Sequence, residues 1–279
     1  MTPYERIREL RLAGNQARRY IVQMIYEAKA GHVGGSLSVI DILTVLYDDV
    51  MRVDPTKPGW ADRDRLVLSK GHAAPALYAT LLRKGYFPAE AIHTLRKFHS
   101  ILQGHPDMRK TPGVDYTSGS LGNGLGIGNG MALAAKLSGA DYHTYVVLGD
   151  GELQEGTVWE SAMTASARGL NNLTVIVDVN GLQVEDRTEN IKPLGSLRDK
   201  WESFGFAVTE VDGHDYMALA TALRATKQPH DRPVCILAKT VKGKGISFAE
   251  DQLGWHKGDF TDETYAQAIA ELQKEAEAI

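Results

Sequence analysis

Apolar residues recur at helical spacing over residues 4–28, where Ile7, Leu10, Ala17, Ile21, Met24, Ile25 and Ala28 share one face, and Gly31 is the predicted stop. The same period over Ser38 to Met51, carried by Val39, Ile42, Leu43, Leu46 and Tyr47, predicts a second helix. Asp54, Pro55 and Pro58 break the chain before the short apolar run Leu66 to Leu68, which leads into Ser69, Lys70, Gly71 and His72. Thr144 to Leu148, Thr174 to Val179 and Val234 to Ala238 are too short for ordinary helices and rich in branched apolar residues, so they read as buried strands. Between the first two, Val158, Trp159, Ala162, Ala165 and Ala167 supply a crossover helix. The charged, alanine-rich tail over 261–279 reads as a surface or contact helix.

This order predicts an α/β fold with a mostly parallel sheet covered by helices on both faces. In such sheets ligands sit beyond the carboxyl ends of the strands. The run SLGNGLGIGNGMALAAK from Ser120 places glycines at 122, 124, 126, 128 and 130. Leu121, Leu125, Ile127, Met131 and Leu133 need a core, so the run is read as a closely packed helix rather than a linker. Its spacing does not match the G-x-G-x-x-G of nicotinamide-binding dehydrogenases.

Composition narrows the class only a little. A chain of 279 residues with 43% hydrophobic residues is long enough for one large domain, taken as residues 1–279. A formal charge of -4 gives no basic stripe and hence no expectation of nucleic acid. Cys235 is the only cysteine and lies within an apolar run, which predicts a buried, inert thiol and a reducing compartment. The charged N-terminus and the lack of a long apolar stretch predict a cytoplasmic protein without membrane contact.

Two strand ends carry candidate chemistry. TYVVL is followed by Gly149, Asp150 and Gly151, and TVIVDV by Asn180, Gly181 and Leu182. If these strands are neighbours, the Asp150 carboxylate and the Asn180 amide oxygen share one crevice. Oxygen ligands suit magnesium, which commonly also grips phosphates, and the glycines let backbone approach those phosphates. Asp150 and Asn180 are equally common as turn residues, so the physical reading leaves a clamp and two turns both open.

The blocks GDGELQEG, VWE and NGLQ resemble the diphosphate-binding motif of thiamine-diphosphate enzymes. GHVGGSLSVIDIL from Gly31, DRLVLSKGHAAPALY from Asp64, FHSILQGHPD from Phe98 and SGSLGNGLGIGNGMA from Ser118 resemble those of the transketolase family, in the same order over nearly the entire chain. The resemblance implies thiamine diphosphate and Mg2+ as cofactors, the metal held by Asp150, Asn180 and the backbone carbonyl of Leu182. Gly151 would donate its N–H to a phosphate oxygen. His32, His72, His99 and His256 are implied around the cofactor cleft, where imidazole exchanges protons near neutral pH; His93, His143, His214 and His230 read as surface or satisfied core histidines. Leu121, Gly122 and Asn123 are implied to line the cofactor site. Glu155 and Glu160 are implied in a network linking two cofactor sites across a dimer interface, whereas Glu160 alone reads as a surface helix carboxylate. His105 lies in a family block without an assigned role. Val33, Asn123 and the Asp178–Val179–Asn180 sequence depart from the family's usual residues without removing a metal ligand.

Full-length members of the family continue into a pyrimidine-binding domain and a third domain. The resemblance therefore implies the N-terminal subunit of a split transketolase, active only with a C-terminal transketolase subunit in an α2β2 heterotetramer. It would pass a two-carbon ketol group from a ketose phosphate such as xylulose 5-phosphate to an aldose phosphate such as ribose 5-phosphate. A ketol transferase for an unusual sugar phosphate, an enzyme forming 1-deoxyxylulose 5-phosphate, and a non-catalytic scaffold of the same fold are the rival expectations. The SKGH and QGHPD blocks count against the 1-deoxyxylulose 5-phosphate enzyme.

Overall fold

The computed structural model describes residues 2–279. Helix α1 spans Pro3–Ala28, opened by a capping box between Thr2 and Glu5 with proline in its first turn. It ends at Lys29, whose φ of 49° is left-handed, two residues before the predicted stop. Helix α2, Val33–Val45, begins five residues earlier than its periodicity suggested, and every one of its residues is buried. A helix buried all round has no polar face to reveal where it starts. It runs on through a wide turn, Leu46–Val50.

The remaining elements in chain order are β1 Arg65–Leu68, α3 Ala74–Lys84, α4 Asn123–Ser138, β2 Thr144–Gly149, α5 Gly156–Ala167, β3 Leu173–Val179, α6 Thr188–Ile191, α7 Leu197–Ser203, β4 Ala207–Asp212, α8 Tyr216–Ala225, β5 Val234–Lys239 and α9 Asp262–Ala278. The strands form one sheet in the order β1-β2-β3-β5-β4, and every pairing is parallel. Strand β4 is not foreseen by the apolar pattern. It lies at the sheet edge, its sequence AVTEVD alternates poorly, and no residue in it is fully buried, so it carries little of the apolar signal of the central strands.

Alternate strand residues feed two cores. Tyr145, Val147, Ile176 and Ile236 face α1, α2, α3, α8 and α9. Val146, Leu148, Val175, Val177 and Cys235 face α4, α5 and α7. The glycines of α4 have a packing reason: a Cβ on Gly128 would lie 2.3 Å from Val146, and one on Gly124 2.3 Å from Ser69. Glycine there brings the helix against β1 and β2 at a propensity cost of about 1 kcal/mol per residue. Helix α9 docks on α1 through buried Ala268 and Leu272, and Tyr265 stacks on Tyr26 with ring centroids 4.0 Å apart.

Candidate active site

The carboxyl ends of the strands converge on a cavity of about 390 Å3 lined by residues that include His32, Lys70, His72, Asp150, Asn180 and Lys242. Register explains the convergence. Gly149 of β2 pairs with Asp178 of β3, so the residues after both strands emerge side by side.

Asp178 is fully buried and forms an ion pair with buried Lys70. It also accepts from Ser38 Oγ at 2.6 Å, from Asn180 Nδ2 at 3.3 Å and from Thr240 Oγ1. Burial opposes its ionisation, but Lys70 and these donors outweigh it and hold the carboxyl below its ordinary pKa. Asp150 is different. Its oxygens accept from Gly151 N at 2.8 Å and Gly181 N at 2.6 Å. Burial, reinforced by the Asp178 charge, nevertheless pushes its pKa up. A buried carboxylate in that condition is one that a cation would stabilise.

Asn180 and Leu182 stand on the same wall. The Asn180 Oδ1 accepts from Leu182 N at 3.2 Å, and the Leu182 carbonyl accepts from Lys242 Nζ at 3.0 Å. Lys242 donates as well to Gln183 O at 2.9 Å. Its ammonium is buried, and burial together with nearby Lys70 lowers its pKa to about 8.

Three of the four predicted histidines meet. His32 lies 5.1 Å from His72 and 5.4 Å from His256, and His72 lies 5.6 Å from His256, between ring centroids. Burial, then Lys257, lowers His32 to about 4; burial, then Lys242, lowers His256 to about 3. Burial and Lys70 take His72 well below its ordinary value. All three are therefore neutral imidazoles at about pH 7, able both to donate and to accept a hydrogen bond. His99 stands apart: it is exposed, has a positive φ of 61° and packs on Phe98. His105 lies 6.3 Å from His32 at the outer edge of this cluster, but it is exposed too and is not among the residues lining the cavity. The two histidines share one block, and periodicity in a loop offers no means of telling which lies nearer His32.

Among the carboxylates, Glu155 lines the cavity, while Glu160 is exposed on α5 beside a separate groove with Gly126, Asn129 and Arg168. Within this chain Glu160 is thus a surface helix carboxylate. Glu152 escapes sequence reasoning. It is buried and accepts from Gly122 N at 2.8 Å, Gly149 N at 3.1 Å and Ser69 Oγ, tying the ends of β1 and β2 to the start of α4. Burial raises its pKa. Leu121 lines the cavity, whereas Gly122 lies behind its wall and Asn123 is exposed as the first residue of α4. At Gly122, φ is 85° and a Cβ would lie 2.5 Å from Thr157 Oγ1, which accounts for glycine there.

Residues 11–276 match the thiamine diphosphate binding domain of transketolase. This chain belongs to the transketolase family. It is 45% identical over 96% of its length to the 6-deoxy-6-sulfo-D-fructose transketolase subunit of a Clostridium species, covering 97% of that protein. It is 43% identical over 98% of its length to an apulose-4-phosphate transketolase subunit of Phocaeicola vulgatus, again covering 97%. The structure superposes on transketolase from Campylobacter jejuni with a TM-score of 0.89 and 32% identity over 95% of this chain, but this chain spans only 42% of that one. Its chemistry is thus of the transketolase class, thiamine-diphosphate-dependent ketol transfer.

The transketolase cavity fits its cofactor on independent grounds. Among the described residues, His256 Nδ1 and Gln183 Nε2 are buried on the cavity wall without a hydrogen-bond partner, and a polar ligand there would satisfy them. Asp150, Asn180 and the Leu182 carbonyl offer oxygen only, the donor type of a small hard cation. Among the described residues no three His, Cys, Asp or Glu side chains converge on a metal position; the oxygen set contains a single carboxylate. Lys70, Lys242, Gln183 and Glu152 complete the site in ways that spacing does not reveal, although Lys70 stands in the SKGH block itself.

Proposed function

We propose that this chain is the diphosphate-binding subunit of a two-chain ketol transferase for an unusual sugar phosphate or its sulfonated counterpart. The observation that carries it is the joining, in one cavity, of an all-oxygen wall at Asp150, Asn180 and Leu182 with the neutral cluster of His32, His72 and His256. Similarity supports the unusual-sugar reading over transfer from xylulose 5-phosphate to ribose 5-phosphate. The relatives matched over nearly their whole length are separate subunits named for 6-deoxy-6-sulfo-D-fructose and apulose 4-phosphate.

Asp150, Asn180 and the Leu182 carbonyl would hold Mg2+, with Lys70 and Lys242 as the cations facing the diphosphate, and Gly151 N–H would exchange its present bond to Asp150 for a phosphate oxygen. When bound, thiamine diphosphate supplies the carbon nucleophile that accepts the two-carbon unit. This chain's residues supply position and proton exchange. His32, His72 and His256, with His105 at the edge, hydrogen-bond sugar hydroxyls and shuttle their protons; neutrality lets each act in either direction. A C-terminal subunit with the pyrimidine-binding and third domains completes each site, and Glu155 and Glu160 link two sites across an α2β2 interface in the cytoplasm.

The test is ketol transfer by this chain, by its partner and by the mixture, each with thiamine diphosphate and Mg2+, over donors that include a sulfonated ketose, apulose 4-phosphate and xylulose 5-phosphate. Activity confined to the mixture and highest with one of the first two donors is expected. A preference for xylulose 5-phosphate would restore the general transketolase reading. Cofactor binding without turnover on any donor would point to a scaffold.

A further inference from the structure

Asp41 on α2 is buried away from the cavity, yet it collects as many donors as the carboxylates of the cavity wall. Arg18 of α1 binds it through two nitrogens at 2.8 and 2.6 Å, His214 Nδ1 lies 2.7 Å from it, and Tyr216 donates its hydroxyl. Burial opposes the charge, but Arg18 and His214 outweigh it and hold the carboxyl below its ordinary pKa. Gly14 makes the room: a Cβ there would lie 1.8 Å from the Tyr216 hydroxyl oxygen.

The far ends of two of these side chains reach one loop. His214 Nε2 accepts from Val241 N at 2.8 Å, and Arg18 Nε donates to Lys244 O at 3.1 Å. A backbone N–H only donates, so His214 is held as the tautomer with its proton on Nδ1, directed at Asp41. The backbone is therefore gripped on both sides of Lys242, whose ammonium rests on the Leu182 and Gln183 carbonyls.

We propose that Arg18, Asp41 and His214 form a positioning clamp that fixes Lys242 over the loop carrying Asn180 and Leu182, and so sets the affinity for the cofactor diphosphate. The consequence for affinity rests on the proposed function; the clamp on the loop does not. A lysine carries its charge on a long flexible stem and gives up rotamer freedom when that charge is fixed in one place. A backbone held at both flanks removes the further freedom of the loop itself.

The experiment uses the complex with its C-terminal partner and the variants His214→Ala, Asp41→Asn and Lys242→Met, with His214→Ala/Lys242→Met closing a double-mutant cycle. Asp41→Asn preserves side-chain shape and serves if His214→Ala does not assemble. His214→Ala is expected to raise the half-saturating thiamine diphosphate concentration by about tenfold, with kcat at saturation changed less than about twofold, a split that partial unfolding does not give. The double variant is expected to match Lys242→Met alone. Amide hydrogen exchange over 239–250 should quicken in His214→Ala and Asp41→Asn without cofactor, while Lys242→Met leaves it unchanged. Multiplying effects in the double variant, or quickened exchange with unaltered affinity, would overturn the proposal. If the wild-type complex shows no dependence on thiamine diphosphate, the functional reading fails; unaltered exchange over 239–250 in both clamp variants would then overturn the clamp by itself.

Discussion

The rings of His32 and His256 meet edge to face with centroids 5.4 Å apart, joining the turn before α2 to the loop after β5 across the mouth of the cavity. Both are held neutral, at about 4 and about 3, chiefly by burial. An imidazole whose folded pKa lies below its unfolded value binds fewer protons when folded. Stability from these groups is thus fully present above about 6.5, the unfolded value, and is lost as pH falls toward 4 and 3. Thermal melts from about pH 7 down to about pH 4 should show a falling Tm, and His256→Asn should flatten that slope.

Asp150→Asn should abolish cofactor loading. Its amide would turn a donor toward either Gly151 N or Gly181 N, both of which now donate to the carboxylate, and would withdraw the negative charge from the proposed metal position. An unsatisfied buried donor costs about 1–3 kcal/mol, so the melting temperature drops. More specifically, the rise in Tm that Mg2+ and thiamine diphosphate give the wild-type complex should vanish at the same concentrations.

Lys70→Met leaves Asp178 charged and fully buried with its ion-pair partner gone. Losing one member of a buried pair costs about 3–5 kcal/mol, measurable by urea unfolding. Lys70→Met/Asp178→Asn should recover most of that loss, since the neutral amide still accepts from Ser38, and yet bind cofactor weakly for want of Lys70. Recovery of cofactor affinity along with stability would remove Lys70 from the diphosphate site.

His105→Ala should lower kcat/KM of the assembled enzyme by about 10–100-fold, while His99→Ala leaves it within about twofold. The contrast follows from ring contacts alone, since both histidines are exposed: His105 lies 6.3 Å from His32, whereas His99 packs on exposed Phe98. A larger loss for His99 would mean that the C-terminal chain covers it and turns it toward substrate.

Ile127 of α4 and Met163 of α5 are 39% and 54% exposed, on the side of the molecule that carries Glu160. Charged replacements at both should leave the chain's unfolding free energy within about 0.5 kcal/mol but break the two-copy assembly, read by sedimentation of the complex. Unchanged sedimentation would locate the interface elsewhere.

Periodicity and run length in the sequence determined the fold class, α1 and the three central strands, because burial on both faces leaves an unbroken branched apolar run. GDG and Asn180 after two such runs already pointed to one crevice shared by Asp150 and Asn180, while Leu182 entered through the family resemblance alone. Tertiary structure decided the rest. The start of α2 was hidden by burial all round, and edge strand β4 by its mixed polarity. Only the packed chain shows that Lys70 neutralises Asp178, that Glu152 ties three loops together, and that His105 rather than His99 joins His32. These relationships join residues far apart in sequence through buried charges, and a buried charge acquires its meaning only from the partner that folding brings to it.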